Sequence, residues 1–151
     1  MLSVALATAT QLGLASGQAL WQKMGKILIV PFLVTPTNVN TGTNANPYVA
    51  GGDTLDLTQL FNLLSSAPGA DLPTACLPLR VEMQSVRGQG KTGSTGLYVY
   101  QFSPGTTLSN GTMQIFTGAA AQSPLAELSA GNYPANVLND SILAVAWFPI
   151  L

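Results

Sequence analysis

The sequence contains very few charged residues. Charged residues make up 7% of its 151 positions and the net charge is −1, whereas an ordinary soluble domain is about 25% charged. Hydrophobic residues stand at 47%, so the composition is not that of a disordered chain. Because Lys and Glu are depleted where protein surfaces bury one another, this composition predicts a surface that is largely covered in the working state. The alternative is a weakly charged monomer.

Histidine is absent, and cysteine occurs once, at Cys76. The usual general base and the commonest metal ligand are therefore missing, and an internal disulfide is excluded. Asp53 and Asp56, the only close carboxylate pair, are interpreted as turn and helix-cap residues beside two glycines. Five basic residues are too few to neutralise a run of phosphates. We therefore expect no enzyme activity, cofactor, metal, small-molecule substrate or nucleic-acid partner.

The first 25 residues are mostly small and apolar. No basic residue precedes Lys23, which argues against a signal peptide. Polar Thr8, Thr10 and Gln11 interrupt the apolar run, so it is too short for a membrane span, and no membrane partner is expected. We interpret residues 1–25 as an N-terminal arm that orders against a neighbouring subunit or against its own domain. A plain N-terminal helix is the alternative.

Residues 79–117 show the clearest strand pattern. Three strands are predicted, at 79–86, 97–102 and 112–117, because apolar or aromatic residues alternate with polar ones there. A glycine-rich link and an Asn110–Gly111 turn, with the positive φ angles of a tight turn, separate them. This pattern predicts a three-stranded meander around which the chain is organised.

Two further segments are continuously apolar. Lys26–Thr35 and Ser141–Phe148 are predicted strands with both faces covered, and Pro31 places the first at a sheet edge or a bulge. A short helix is predicted over Gln59–Leu64, capped by Asp56 or Thr58. The prediction is a mainly β, single-domain antiparallel β-sandwich or barrel at residues 26–151, with one short helix and the arm at 1–25.

Two stretches resemble a known family. The segment 48–57 (YVAGGDTLDL) has an aromatic residue, Gly-Gly and Asp before a Leu-Asp-Leu run, and 127–135 (ELSAGNYPA) follows the strand 113–117. Together they resemble small capsid structural proteins and head decoration (cement) proteins of tailed bacteriophages. The similarity is one of order and spacing, and it extends over roughly residues 26–148.

The resemblance implies a virion protein, made in the host cytoplasm and bound to the outer surface of the capsid. Its expected partners are the major capsid protein and further copies of itself, as a homotrimer. One alternative is another phage virion subunit, such as a minor capsid, head-fibre or tail protein. The other is a secreted bacterial β-sandwich that acts as a binding module.

The expected contact elements are the N-terminal arm, the loop 36–47 and the link 88–96. The loop is long, and the link is rich in glycine, as contact loops often are. The expected interface residues are Leu2, Leu6, Leu12, Trp21, Ile27, Ile29, Val39, Arg87 and Lys91.

Overall fold

The computed structural model describes residues 2–7, 22–37, 48–65, 76–85, 97–118, 124–138 and 140–149. These residues form two antiparallel sheets that share one core, so the predicted mainly β sandwich is confirmed. A second short helix was not predicted. The elements are β1 (Leu2–Leu6), β2 (Gln22–Met24), β3 (Ile27–Pro36), β4 (Asp53–Leu55), α1 (Thr58–Ser65), β5 (Arg80–Ser85), β6 (Leu97–Ser103), β7 (Gly111–Gly118), β8 (Ala126–Glu127), α2 (Ala135–Leu138) and β9 (Ile142–Pro149).

The larger sheet is built around β3 and β9. Its strand order is β1-β3-β9-β5, and β2 also pairs with β3. In both central strands every second residue is buried, because alternate side chains of a strand point to opposite faces. Register places Phe32 opposite Ala144 and Leu28 opposite Phe148 on the inner face. The predicted last strand is found as β9, and it lies between β3 and β5.

Pro31 lies within β3 without breaking the sheet. β1 pairs with β3 from Phe32 onward and β2 pairs with it up to Ile29, so Pro31 lies at the junction between these two neighbours. The Ala7 N–H donates to the Pro31 carbonyl at 3.3 Å. Because the N–H and C=O of a strand residue point to the same side, the missing Pro31 donor faces this junction and not β9. The sheet edge predicted at Pro31 is therefore limited to this junction, because β2 pairs with β3 before it and β1 pairs with β3 after it.

The N-terminal residues 2–7 and 22–24 are strands of the larger sheet. They are not helical, and they order against the domain of their own chain. A two-residue turn, Gly25–Lys26, joins β2 to β3, and Gly25 has φ +60°.

The smaller sheet has the order β4-β7-β6, and β8 also pairs with β7. The hairpin predicted for β6 and β7 is confirmed, but the three-stranded meander is wrong. β5 pairs with β9 in the larger sheet, with Val81 opposite Ala146. Alternation along a strand determines which of its faces is buried, but not which sheet it joins. The apolar β9 supplies the partner for β5.

Gly111 has a different role from the predicted one. Its φ is not positive, and it is a buried residue of β7. A Cβ atom there would lie 2.6 Å from the Phe102 ring, so any larger residue would force this ring to shift. The Asn110 side chain closes the preceding loop by accepting the Thr107 N–H at 2.8 Å.

Helix α1 begins where the sequence predicts. Asp56 Oδ1 accepts the Thr58 N–H at 2.9 Å and the Thr58 hydroxyl at 2.6 Å, which satisfies a donor of the first turn. Leu57 and Leu60 are buried. The Phe61 ring packs edge-on against Phe148, with centroids 5.2 Å apart.

Phe148 joins β9, the core and α1, and it is fully buried. We expect Phe148→Ala to lower the unfolding free energy by about 3–5 kcal/mol through the cavity it leaves. Val99→Ala is the matched control because Val99 is 36% exposed on β6, and its change should stay within about 0.5 kcal/mol. Urea unfolding measures both values. Equal losses would contradict this description of the core.

Candidate functional site

The two segments that carry the family resemblance meet in the structure. The Tyr48 N–H donates to the Gly131 carbonyl at 2.6 Å, and the Gly131 N–H donates back to Tyr48 at 3.0 Å. The Tyr48 and Tyr133 rings pack 5.9 Å apart at 56°. The spacing of aromatic and glycine residues in both segments therefore serves one contact between distant parts of the chain.

The Tyr48 hydroxyl completes the hydrogen bonding of β7. β4 pairs with β7 up to Met113 and β8 pairs from Phe116 onward, which leaves Ile115 between them. The Ile115 N–H donates to the Tyr48 oxygen at 3.1 Å, and its carbonyl accepts the Leu128 N–H at 2.7 Å. A side chain thus replaces the missing strand at this position.

Two carboxylates hold the tyrosines. The Tyr48 hydroxyl donates to Glu127 Oε1 at 2.8 Å, and the same oxygen accepts the Gly51 N–H at 2.6 Å. Asp53 is 8% exposed, and it accepts the Tyr133 hydroxyl through Oδ2 and the Val49 N–H through Oδ1 at 2.9 Å. The turn role predicted for Asp53 is confirmed. Its bond to Tyr133 was not predicted, because the two residues lie 80 positions apart.

We call Tyr48, Asp53, Glu127 and Tyr133 the tyrosine–carboxylate network. Burial, followed by the Glu127 and Asp53 carboxylates, raises the pKa of Tyr48 to about 12. Burial and Asp53 also raise the pKa of Tyr133 well above its ordinary value. Both phenols therefore stay neutral and donate hydrogen bonds at physiological pH. The arrangement suits a brace between β4, β7 and β8.

A third carboxylate connects the two sheets. Asp140 accepts the Ser85 hydroxyl of β5 at 2.7 Å and the Tyr100 hydroxyl of β6 at 2.8 Å. Burial and then Asp140 raise the pKa of Tyr100 far above its ordinary value. Asp140 thereby links β5 and β6 where no backbone pairing between them is seen in the described residues.

The face of the larger sheet that points away from the core is apolar; we call it the outer face. Where β3 and β9 pair with each other, it carries their odd-numbered residues, which point away from the core. They are half-buried, and none is charged. They are Ile27, Ile29, Pro31, Leu33, Leu143, Val145, Trp147 and Pro149. Met24, which is 62% exposed and lies opposite Ile27, extends this face.

Charge occurs on the outer face only at its β5 margin, within the part of the chain that the structure describes. Arg80 and Glu82 form an ion pair with each other. The Arg80 guanidinium also lies 5.6 Å from the centre of the Trp147 ring. An uncharged centre with a polar margin is the pattern of a protein–protein interface.

The structure separates the expected interface residues. Ile27 and Ile29 lie on the outer face. Leu2 and Leu6 point the other way, because their register opposite Pro36 and Phe32 places them on the inner face, where Leu2 is buried. The remaining five, Leu12, Trp21, Val39, Arg87 and Lys91, lie outside the described residues, as do residues 38–47 of the loop and the link 88–96. Trp147 and Val145, which were not among the expected interface residues, also lie on the outer face.

A cleft of about 630 Å³ lies at the β5 margin of the outer face. Arg80–Gln84 of β5, Tyr100–Phe102 of β6, and Leu143 and Val145 of β9 line it. No group of three or more His, Cys, Asp or Glu side chains that could hold a metal ion occurs among the described residues. Cys76 is half-buried, and burial raises its thiol pKa. No helix in the described ranges is long and apolar enough to cross a membrane.

Comparison of the chain with protein-family models, with curated proteins and with solved structures finds no match.

Replacing Tyr48 tests the brace. Tyr48→Phe keeps the ring but leaves the buried Ile115 N–H without its acceptor, so we expect a loss of about 1–3 kcal/mol in unfolding free energy. Tyr98→Phe is the control, since Tyr98 is half-buried and outside the network. Urea unfolding of both variants measures the change in unfolding free energy. If Tyr48→Phe is no less stable than its control, the hydroxyl does not brace β7.

The tyrosines also predict how stability depends on pH. The pKa of Tyr48 rises from an ordinary 10.0 to about 12 on folding, so between these values the unfolded chain loses its proton first. The folded state is then disfavoured, and stability should be constant as pH approaches 10 and fall above it. Urea unfolding across this range measures the effect. Tyrosine ionisation in the folded protein, followed by ultraviolet absorbance, should be delayed to higher pH for Tyr48, Tyr100 and Tyr133, whose pKa values are raised. Ionisation of all four tyrosines near pH 10 would contradict the raised pKa values.

Proposed function

We propose that this chain is a virion structural protein, a head decoration (cement) protein that binds the outside of the major capsid shell and stabilises the mature head. The observation that carries an assembly role is the apolar outer face of β3 and β9. The capsid as the place of assembly comes from the resemblance of residues 48–57 and 127–135. Both segments are structural in this molecule, which suits a protein that acts by binding.

The size of the outer face suits weak, repeated binding. β3 and β9 pair over eight residues, which makes the face about 26 Å long, and together with its margins on β1 and β5 it is about 19 Å wide. The resulting area, about 500 Å² per copy, is below the ~800 Å² of a standard interface. Single contacts of this size are weak, but many copies on one shell add their contacts through effective concentration. Binding only to the expanded lattice stabilises that lattice by mass action.

The proposal includes self-association as a homotrimer. Closed symmetry would cover exposed apolar side chains and strand edges that a monomer leaves open. Two other functions are kept as alternatives. Another virion subunit (minor capsid, head fibre or tail) would use the same outer face against a different partner. A secreted bacterial binding module would be cleaved after Ala15-Ser16-Gly17, whose small residues suit a signal-peptide cleavage site. A mass measurement of the natural protein would detect this cleavage.

Co-sedimentation with expanded, empty phage heads tests the proposal. The purified chain should bind these heads saturably and leave unexpanded heads largely free. Ile29→Lys places a charge at the centre of the outer face and should lower binding at least about tenfold, because an unpaired charge would be buried. Thr54→Lys is the matched control, since it adds the same charge at an exposed position of β4 in the other sheet. Thermal unfolding of both variants shows whether they remain folded.

Three results would overturn parts of this proposal. No saturable binding to any head would remove the decoration role. Binding that Ile29→Lys and Thr54→Lys lower equally would remove the outer face as the contact surface. A processed monomer that ignores capsids would favour the secreted binding module.

A further inference from the structure

Two strand edges lie side by side without pairing. β5 is the last strand of the larger sheet and β6 is the last strand of the smaller one. Their Cα atoms approach within 8 Å, but in the described ranges no strand pairs with β5 opposite β9 or with β6 opposite β7. Unpaired edges of this kind are templates for a further strand.

The register shows which backbone groups of β5 face away from β9. The Ala7–Pro31 hydrogen bond directs the odd-numbered backbone groups of β3 towards β1. The even-numbered groups of β3 therefore pair with β9, and the odd-numbered groups of β9 pair with β5. Arg80, Glu82 and Gln84 thus bond to β9. The N–H and C=O groups of Val81 and Met83 point away from it.

The same reasoning applies to β6. The backbone groups of Ile115 bond Tyr48 and Leu128, on the side of β7 that faces away from β6. The groups of Gln114 and Phe116 therefore face β6 and pair with Gln101 and Val99. This leaves the N–H and C=O groups of the intervening Tyr100 and Phe102 pointing away from β7.

All four residues with outward backbone groups line the cleft: Val81, Met83, Tyr100 and Phe102. On each edge the free groups recur at every second residue, about 7 Å apart. This repeat matches the backbone of another extended chain, which presents donors and acceptors at the same interval. A compact ligand has no such repeat.

The side chains around the cleft indicate an uncharged occupant. Arg80 and Glu82 already pair with each other, and the other polar side chains of the lining, Gln84 and Gln101, are neutral amides. A charged segment would find no free opposite charge among these residues. Apolar side chains of an extended segment would instead contact Leu143 and Val145 on the cleft wall.

We propose that this cleft binds an uncharged, extended peptide segment of a partner protein, which adds as a strand to the β5 edge by pairing with Val81 and Met83. This is recognition by strand addition, in which the backbone supplies affinity and alternate side chains supply specificity. The proposal needs only a partner with an extended segment. It does not depend on whether that partner is a capsid subunit.

A model peptide tests the site without any capsid. The probe is the blocked peptide acetyl-TVQVTVQ-amide, titrated into the isotope-labelled full chain and followed by amide NMR. The matched control peptide has the same sequence with N-methylated valines, which cannot donate backbone hydrogen bonds. We expect saturable shifts and slowed amide exchange at Val81 and Met83 with the probe, and neither effect with the control peptide.

Two variants at one position separate the backbone from the side chain. Met83→Pro removes the outward N–H but no bond to β9, and an edge strand tolerates proline at such a position. Met83→Ala removes the side chain and keeps the N–H. We expect Met83→Pro to weaken probe binding about three- to tenfold relative to Met83→Ala, the effect of one hydrogen bond.

Three outcomes would overturn the proposal. The first is no shift at Val81 or Met83 at a saturating concentration of the probe. The second is shifts of equal size at the β1 and β4 edges, which would mean unspecific strand pairing. The third is slow amide exchange at Val81 and Met83 before any peptide is added, which would mean that these groups already have partners. The exchange measurement uses the unmodified chain, so it remains decisive if Met83→Pro does not fold.

Discussion

A buried backbone N–H or C=O group without a hydrogen-bond partner is costly, and much of this structure depends on how that requirement is met. Both sheets contain a place where a neighbouring strand is interrupted. In β3 the residue at the interruption is Pro31, which has no N–H to satisfy, and Ala7 bonds its carbonyl. In β7 the residue is Ile115, and the Tyr48 hydroxyl accepts its N–H. Neither sheet needs an unbroken outer strand, so the sequence can use that edge for turns and for the tyrosine–carboxylate network.

The requirement also explains why the two resembling segments have their particular residues. Tyr48 must reach β7, and its hydroxyl needs an acceptor of its own, which Glu127 provides. The Gly51–Gly52 bend has positive φ at both residues, and at Gly52 a Cβ atom would lie 2.9 Å from the Met113 carbonyl oxygen. The residues shared with the resembling family therefore join β4, β7 and β8 in this molecule. Its link to phage heads rests on resemblance, and the outer face supplies a separate physical basis for an assembly role.

Different parts of the molecular surface differ in how their polar groups are hydrogen-bonded. The tyrosine–carboxylate network pairs its polar groups with one another. The outer face, in contrast, is apolar, and among the described residues no further strand pairs with the edges of β5 and β6. Such features are adjacent, since Leu143 and Val145 belong to the outer face and also line the cleft. An assembly protein that contacts one neighbour through side chains and another through its backbone would have this arrangement.

Local pattern in the sequence determined the strands, their buried faces and the capped helix, because alternation and capping involve residues only a few positions apart. The continuous apolar run Ser141–Phe148 likewise predicted a strand with both faces covered. Tertiary structure alone decided that β5 pairs with β9, that Leu2 points inward, and that Tyr133 bonds Asp53. These contacts join residues 34 to 80 positions apart, and their partners are selected by register and by the hydrogen-bonding needs of the whole core. The outer face shows both limits: its apolar residues were visible in the sequence, but their position together on one face of the sheet was not.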